Sequence, residues 1–210
     1  QQLARLGIRP TGGFDPARVS HAAADIASGL EEGKMAIATA AHRGAVVDGW
    51  GYPKANLGIF GQDHAYRAKI AMGGLGALPC AEAMYMRALG VDNRPFFPAG
   101  RDALLRFPPG RLPPVDGFWS ATMYEVTAAG QYFLFDNAID RYAIGDRTPG
   151  LRFNEDGSLD IWMTGAAPRF GRSNWLPLPA GRPWGVVLRT YVPRPALLDG
   201  SYTLPAVTML

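Results

Sequence analysis

The chain reads as a mainly β fold behind an N-terminal helical segment (α+β), with the β part expected to form a jelly-roll-like antiparallel β-sandwich. Three observations carry that expectation. The apolar period shifts from about 3.6 residues before Glu82 to about 2 after it, the change from helix to strand patterning. The 26 Gly and 18 Pro exceed ordinary usage, favouring tight turns between short strands over long helices. Short β-rich runs then follow one another at the spacing of sandwiches and barrels. The expected organisation is a helical lead-in over 1–80, packed on a sandwich domain over 81–210.

Leu3, Leu6 and Ile8 suit an entry segment that docks on a neighbour, with Pro10, Gly12 and Gly13 breaking its regularity. Asp15 fits an N-cap and Pro16 the first helical position. Val19, Ala22, Ala23, Ile26 and Leu30 then recur at three-to-four spacing, predicting a helix that runs on to Ala41 with Gly33 as its weak point. After a Gly/aromatic loop, a second helix is expected from Gln62 to Met72 with Tyr66, Ile70 and Ala71 inward, stopped by Gly73-Gly74-Leu75-Gly76. Those glycines follow a helix where a dinucleotide fingerprint follows a strand, so they do not read as a phosphate loop.

Strands are expected at Met84 to Leu89, Ala103 to Phe107, Phe118 to Val126 and Tyr132 to Phe135, the last two joined as a hairpin through Gly130. Arg141 to Ile144 makes a short strand. Phe153 and the run Leu159 to Met163 flank Asp156-Gly157, a hairpin signal. Gly165 to Arg182 reads as a loop, and Trp184 to Val192 as the last long strand, ended by Pro193 and Pro195.

Bulk chemistry narrows the function classes. A 48% apolar and 19% charged composition is that of a folded globular chain. The formal charge of +3 is too small, and the arginines too scattered, for a nucleic-acid footprint. No apolar run approaches the roughly 18 residues of a membrane span, so membrane insertion is not expected. Cys80 is the single cysteine, which excludes an intrachain disulfide and a multi-cysteine zinc site and leaves it as a small buried hydrophobe. The chain opens on Gln-Gln, from which removal of a signal peptide or upstream domain is expected; the compartment is periplasmic or secreted in the first case and cytoplasmic otherwise.

The phrases PPVDGFWSATMYEV, NAIDRYAIGDRTPGL, NEDGSLDIWM, NWLPLPAG and VVLRTYVPRPALLDGSYTLPAV, in this order, resemble the bacterial family of unknown function numbered 1214. That domain usually follows an N-terminal partner, the family of unknown function numbered 1254. The resemblance implies a jelly-roll-like sandwich with attached helices, reminiscent of viral coat and nucleoplasmin folds and often oligomeric. It implies no settled activity and carries over no catalytic residue. Where family members commonly read Asn-Pro-Ile-Asn-Arg-Tyr, this chain reads Asn137-Ala138-Ile139-Asp140-Arg141-Tyr142, which adds a carboxylate.

Candidate chemistry concentrates between Gly117 and Arg147. Glu125, Asp136, Asp140 and Asp146 are the candidate catalytic carboxylates, since a glycan hydrolase sets two such groups about a scissile bond. Trp119, Tyr124, Asn137, Arg141, Arg147 and Trp175 are the candidate ligand-binding residues, flat rings suiting sugars and guanidinium forks suiting polar groups. A structural reading competes: Asp140 with Arg141, and Asp146 with Arg147, would pin a crossing loop, and Arg147→Ala would then lower thermal stability more than it alters ligand binding. His21, His42 and His64 lack metal-ligand spacing, so neither a metal nor any other cofactor is expected. The leading functional expectation is a self-associating module that binds or assembles around a small polar ligand, carbohydrates included; the alternative is a glycan-directed hydrolase that uses paired carboxylates.

Overall fold

The computed structural model describes residues 4, 7–9, 11–14, 19, 22–40, 43–74, 76–169 and 171–210. Asp15, Pro16, His21, His42 and Leu75, with the entry residues Leu3 and Leu6, lie outside the described residues. The chain divides into two compact units, Gln1–Ala41 with Gln62–Leu75, and His42–Gly61 with Gly76–Leu210.

In the first unit, β1 (Ile8–Arg9) and β2 (Gly13–Phe14) pair antiparallel, and two helices follow, α1 (Ala23–Thr39) and α2 (His64–Gly73). Gly33 does not interrupt α1, which buries none of its residues and leaves Leu30 and Met35 exposed. Asp63 caps α2 by accepting the Tyr66 N–H at 3.1 Å, satisfying one of the free donors at a helix start. Tyr66 is buried and Ile70 half-buried as the spacing predicts, whereas Ala71 is exposed.

The second unit is the expected sandwich. Its larger sheet runs β3 (Val46–Val47), β4 (Trp50–Gly51), β5 (Ala83–Ala88), β12 (Trp184–Tyr191), β7 (Trp119–Val126) and β8 (Tyr132–Phe133), with β9 (Ala143–Gly145) also pairing with β7. The smaller sheet runs β11 (Trp175–Pro177), β10 (Leu159–Thr164), β6 (Ala103–Phe107) and β13 (Val207–Met209). Period-2 alternation fills the space between them. Met84, Met86 and Ala88 of β5, Val186 and Leu188 of β12, and Ala121 and Met123 of β7 meet Leu105 and Phe107 of β6 and Ile161 and Met163 of β10 in one core. The Phe107 and Trp119 rings, 5.2 Å apart, join the two sheets.

Three features depart from the sequence reading. Residues 43–61, expected as a loop, supply β3 and β4, which meet through Asp48-Gly49; both residues have positive φ (49° and 76°), as a type I′ hairpin turn requires. The hairpin expected at Asp156-Gly157 keeps its turn, with Asp156 accepting from the Ser158 N–H at 2.9 Å, but has no first strand. The backbone of Arg152 bonds the Asn174 amide on both sides instead, at 2.9 and 2.7 Å, so the segment before the turn has already spent these groups. Third, β11 forms inside the expected Gly165 to Arg182 loop and runs parallel to β10, one parallel pair in an otherwise antiparallel sandwich.

Thr190 faces the core from β12 with its Oγ1 fully buried and unbonded. A buried hydroxyl without a partner costs about 1–3 kcal/mol, and valine keeps its shape. Thr190→Val is therefore expected to raise stability by about 1 kcal/mol, read from the urea midpoint; a lower midpoint would show that the hydroxyl is engaged.

Candidate functional site

The large sheet turns its second face away from the core, and cross-strand register decides what stands on it. Arg87 lies opposite Val187, which lies opposite Thr122; Tyr85 lies opposite Arg189, which lies opposite Ser120; and Gly185 lies opposite Tyr124. Residues in register project to the same side of a sheet. Arg87 and Arg189 are thus diagonal neighbours on adjacent strands, with tyrosines on either side.

Arg189 donates through Nη1 to Thr122 Oγ1 at 2.9 Å and through Nη2 to Tyr124 Oη at 2.6 Å. The Arg87 guanidinium lies 4.5 Å from the centre of the Tyr132 ring, a cation–π contact. Tyr132 reaches this position because Gly185 has no side chain: a Cβ there would stand 2.6 Å from the ring. The Tyr132 hydroxyl donates to Pro95 O. On the β4 side, the Arg43 stem packs on Gly51, the residue in register with Arg87. On the other side, Phe118 and Tyr191 stack at 4.3 Å, and the Arg147 guanidinium sits 4.3 Å over Phe118.

The charge balance on this face is one-sided. Among the described residues the ion pairs are Lys34–Glu31, Arg106–Asp160, Arg182–Glu125 and Arg194–Asp116. None of them involves Arg43, Arg87 or Arg189. Burial raises the pKa of Tyr85, helped by the adjacent Tyr191 phenol and opposed by Arg189. Tyr132 is likewise raised by burial against the opposing pull of Arg87. Both hydroxyls therefore stay protonated and able to donate.

The candidate ligand-binding residues singled out from sequence fall in three places. Tyr124 and Arg147 stand on the outer face just described. Trp119 and Trp175 are buried, at 2% and 5% exposure, and Trp175 Nε1 donates to Thr164 O at 2.9 Å, so both rings serve the interior. Asn137 closes the loop between β8 and β9, its Oδ1 accepting the Arg141 N–H at 3.0 Å and its Nδ2 donating to Arg141 O at 3.1 Å. Arg141 pins that loop to the smaller sheet's neighbourhood by donating to the carbonyls of Arg172, Ser173 and Trp175, the last two at 2.9 and 3.1 Å.

The carboxylates are dispersed. Glu125 pairs with Arg182. Asp140 accepts from the Tyr142 hydroxyl at 2.7 Å, Asp146 accepts the Trp119 N–H at 3.1 Å, and Asp136 is exposed. The expected Asp140–Arg141 and Asp146–Arg147 pairs do not form: successive residues here point apart, and each finds a different partner. With Arg147 exposed over one ring, its loss removes only a surface cation–π contact, so the stability effect expected from sequence shrinks to about 0.5–1 kcal/mol. Sequence reading missed Arg43, Tyr85, Arg87, Arg189 and Tyr191. For all but Arg43 the signal is the alternation Tyr85-Met86-Arg87 and Arg189-Thr190-Tyr191, with Met86 and Thr190 inward and the aromatic and cationic residues outward.

Among the described residues, no group of three or more His, Cys, Asp or Glu is placed to hold a metal ion, and no helix is long and apolar enough to cross a membrane. No curated protein matches the chain. Among solved structures it is similar to the VPA0106 protein from Vibrio parahaemolyticus, with 23% identity and a TM-score of 0.64 over 96% of this chain and 47% of that one. The chain thus spans about half the length of that protein, and the likeness is one of fold. An uncharacterized protein from Burkholderia cenocepacia is a more distant neighbour, with 15% identity and a TM-score of 0.38 over 61% of this chain and 29% of that one. The family described as "Protein of unknown function (DUF1214)" matches residues 82–195, which include the strands β5, β7 and β12 that carry the outer face, and the chain belongs to that family.

Proposed function

We propose that this domain is a binding module for a small polar ligand that carries negative charge, held on the outer face of the large sheet between Arg87 and Arg189. The observation that supports this reading is the pair of guanidiniums on adjacent strands with no carboxylate partner among the described residues. Arginine presents a planar fork that meets a carboxylate or phosphate with two parallel hydrogen bonds, and such charge-assisted bonds are about twice as strong as neutral ones. The phenols of Tyr85 and Tyr124 add neutral donors and flat apolar faces for the ligand's body. A sugar acid or sugar phosphate is the carbohydrate form that suits this face; a neutral sugar brings no charge to match the guanidiniums.

Isothermal titration with glucuronate, inorganic phosphate and glucose tests the reading. Binding of an anion but not of glucose is expected, weakening with added salt. Arg87→Gln and Arg189→Gln should each lower anion affinity by about tenfold or more. A double variant that keeps its fold by circular dichroism and binds anions as well as the unaltered protein sinks the proposal.

A further inference from the structure

Away from the outer face, the second unit holds a cleft of about 460 Å³ where the β3–β4 hairpin and the segment after it meet residues 79–84 and 197–203. Its volume falls within the roughly 300–1,000 Å³ of small-molecule sites. Val47, Leu57, Met84 and Leu197 form apolar walls, and the exposed side chains of Ile59 and Leu198 flank the mouth. Among the described residues no Arg or Lys lines it, and Asp199 is one of its lining residues. That charge pattern is opposite to the one on the outer face, so an anion is disfavoured here.

One polar group is incompletely used. Tyr52, 9% exposed, lines the cleft; its hydroxyl accepts the Leu204 N–H at 2.8 Å and donates to no described residue. A phenol both donates and accepts, so its proton is left over. Burial, the largest influence, raises the Tyr52 pKa, and the nearby Asp48 carboxylate raises it further, against the bond from Leu204. The proton is therefore held. The other polar side chains around the cleft are spoken for: Tyr202 donates to Arg111 O at 2.9 Å, Thr203 donates to Asp48 at 3.2 Å, and the Cys80 thiol donates to Lys54 O at 3.5 Å.

We infer that this cleft is a second binding site, for a neutral, largely apolar small molecule bearing one hydrogen-bond acceptor such as a ketone or ester carbonyl, which takes the Tyr52 proton as its anchor. Apolar walls supply most of the affinity and the single donor sets the orientation, the usual division of labour in such sites. The site is independent of the guanidinium face.

Prodan, a neutral fluorescent naphthyl ketone, is a suitable probe. Its emission should rise and shift to the blue on titration with the protein, saturating at one equivalent. Ala81→Trp, at an exposed position lining the cleft, should reduce affinity by more than tenfold by filling the space. Tyr52→Phe should weaken binding about tenfold, the value of one buried hydrogen bond. Since Tyr52→Phe also takes an acceptor from Leu204, its fold is checked by circular dichroism, and Ala81→Trp remains decisive if that variant unfolds. Absence of saturable emission, or an unchanged affinity in Ala81→Trp, overturns the site; an unchanged affinity in a folded Tyr52→Phe overturns the anchor.

Discussion

Trp184→Ala is expected to destabilise the sandwich by about 3–5 kcal/mol, the range for deleting a fully buried large aromatic. Trp184 begins β12, the strand between β5 and β7, and is wholly buried. Its ring stacks on Phe97 at 4.3 Å and 18°, and the two residues exchange backbone hydrogen bonds at 2.7 and 3.0 Å. Truncation leaves a void that the backbone cannot close, because those two bonds hold both chains at their present separation. Phe97 also loses the face it packs against. Trp184→Phe should be far milder, near 1 kcal/mol, since it keeps most of the stack and deletes an indole N–H that is buried without a partner. Urea denaturation of the two variants checks the pair of values. An alanine variant no less stable than the phenylalanine one would show that the stack carries little.

The difference between what could be read from sequence and what could not has a physical basis. β5, β6, β7 and β12 were legible because each is long enough to repeat its alternation, as in Met84, Met86 and Ala88 inward with Tyr85 and Arg87 outward. β3 and β4 are two residues each, too short for any period, and only Asp48-Gly49 announced them. The same dipeptide at 156–157 misled, because a turn signal specifies a local bend and not whether the preceding strand finds a partner; there, Asn174 captured the backbone of Arg152 from 22 residues away. The short β11 and β13 depend wholly on their partners in the smaller sheet. The candidate site followed the same logic. Charge density drew attention to residues 136–147, where Asn137 and Asp140 bond within the loop and Arg141 and Asp146 bond backbone groups, so that these four serve the fold. Arg87 and Arg189 are about a hundred residues apart in sequence, and only the antiparallel register of β5 and β12 makes them neighbours.

Arg106→Ala is expected to destabilise the protein more than Asp160→Asn, and its deficit should shrink as the pH falls. The two residues stand opposite each other in register on β6 and β10, with Nε donating to Oδ1 at 2.5 Å and Nη2 to Oδ2 at 2.7 Å. The pair is lopsided: the Arg106 side chain is 56% exposed and that of Asp160 only 6%. Removing the carboxylate leaves a guanidinium that water can solvate. Removing the guanidinium strands a carboxylate among buried neighbours, the costlier error. Asp160→Asn loses a pair whose cation water can still solvate, a modest cost; Arg106→Ala should exceed it and lower the melting temperature by roughly a few degrees more. The pH dependence follows from the carboxyl. Hydrogen bonding from Arg106 is the largest influence on Asp160 and holds its pKa below the ordinary carboxylate value, against the opposing effect of burial. A depressed folded pKa contributes stability that is present above the unfolded value, near 3.9, and is lost as pH falls through the folded pKa. In Arg106→Ala burial is opposed chiefly by the remaining bond from Asn154, the folded pKa rises, and the stability this carboxylate contributes above the unfolded value shrinks or is lost. Asp199, held low chiefly by the bond from the Ser201 backbone, adds acid sensitivity to both proteins alike and cancels, whereas Asp156, held low chiefly by Ser158 and in smaller part by Arg106, loses part of its own acid sensitivity in Arg106→Ala and widens the difference in the same direction. Urea denaturation at pH 7 and pH 3.5 should therefore show a wide gap between the unaltered protein and Arg106→Ala at neutral pH and a narrow one in acid. A gap of equal size at both values would mean that Asp160 does not depend on Arg106 to remain charged.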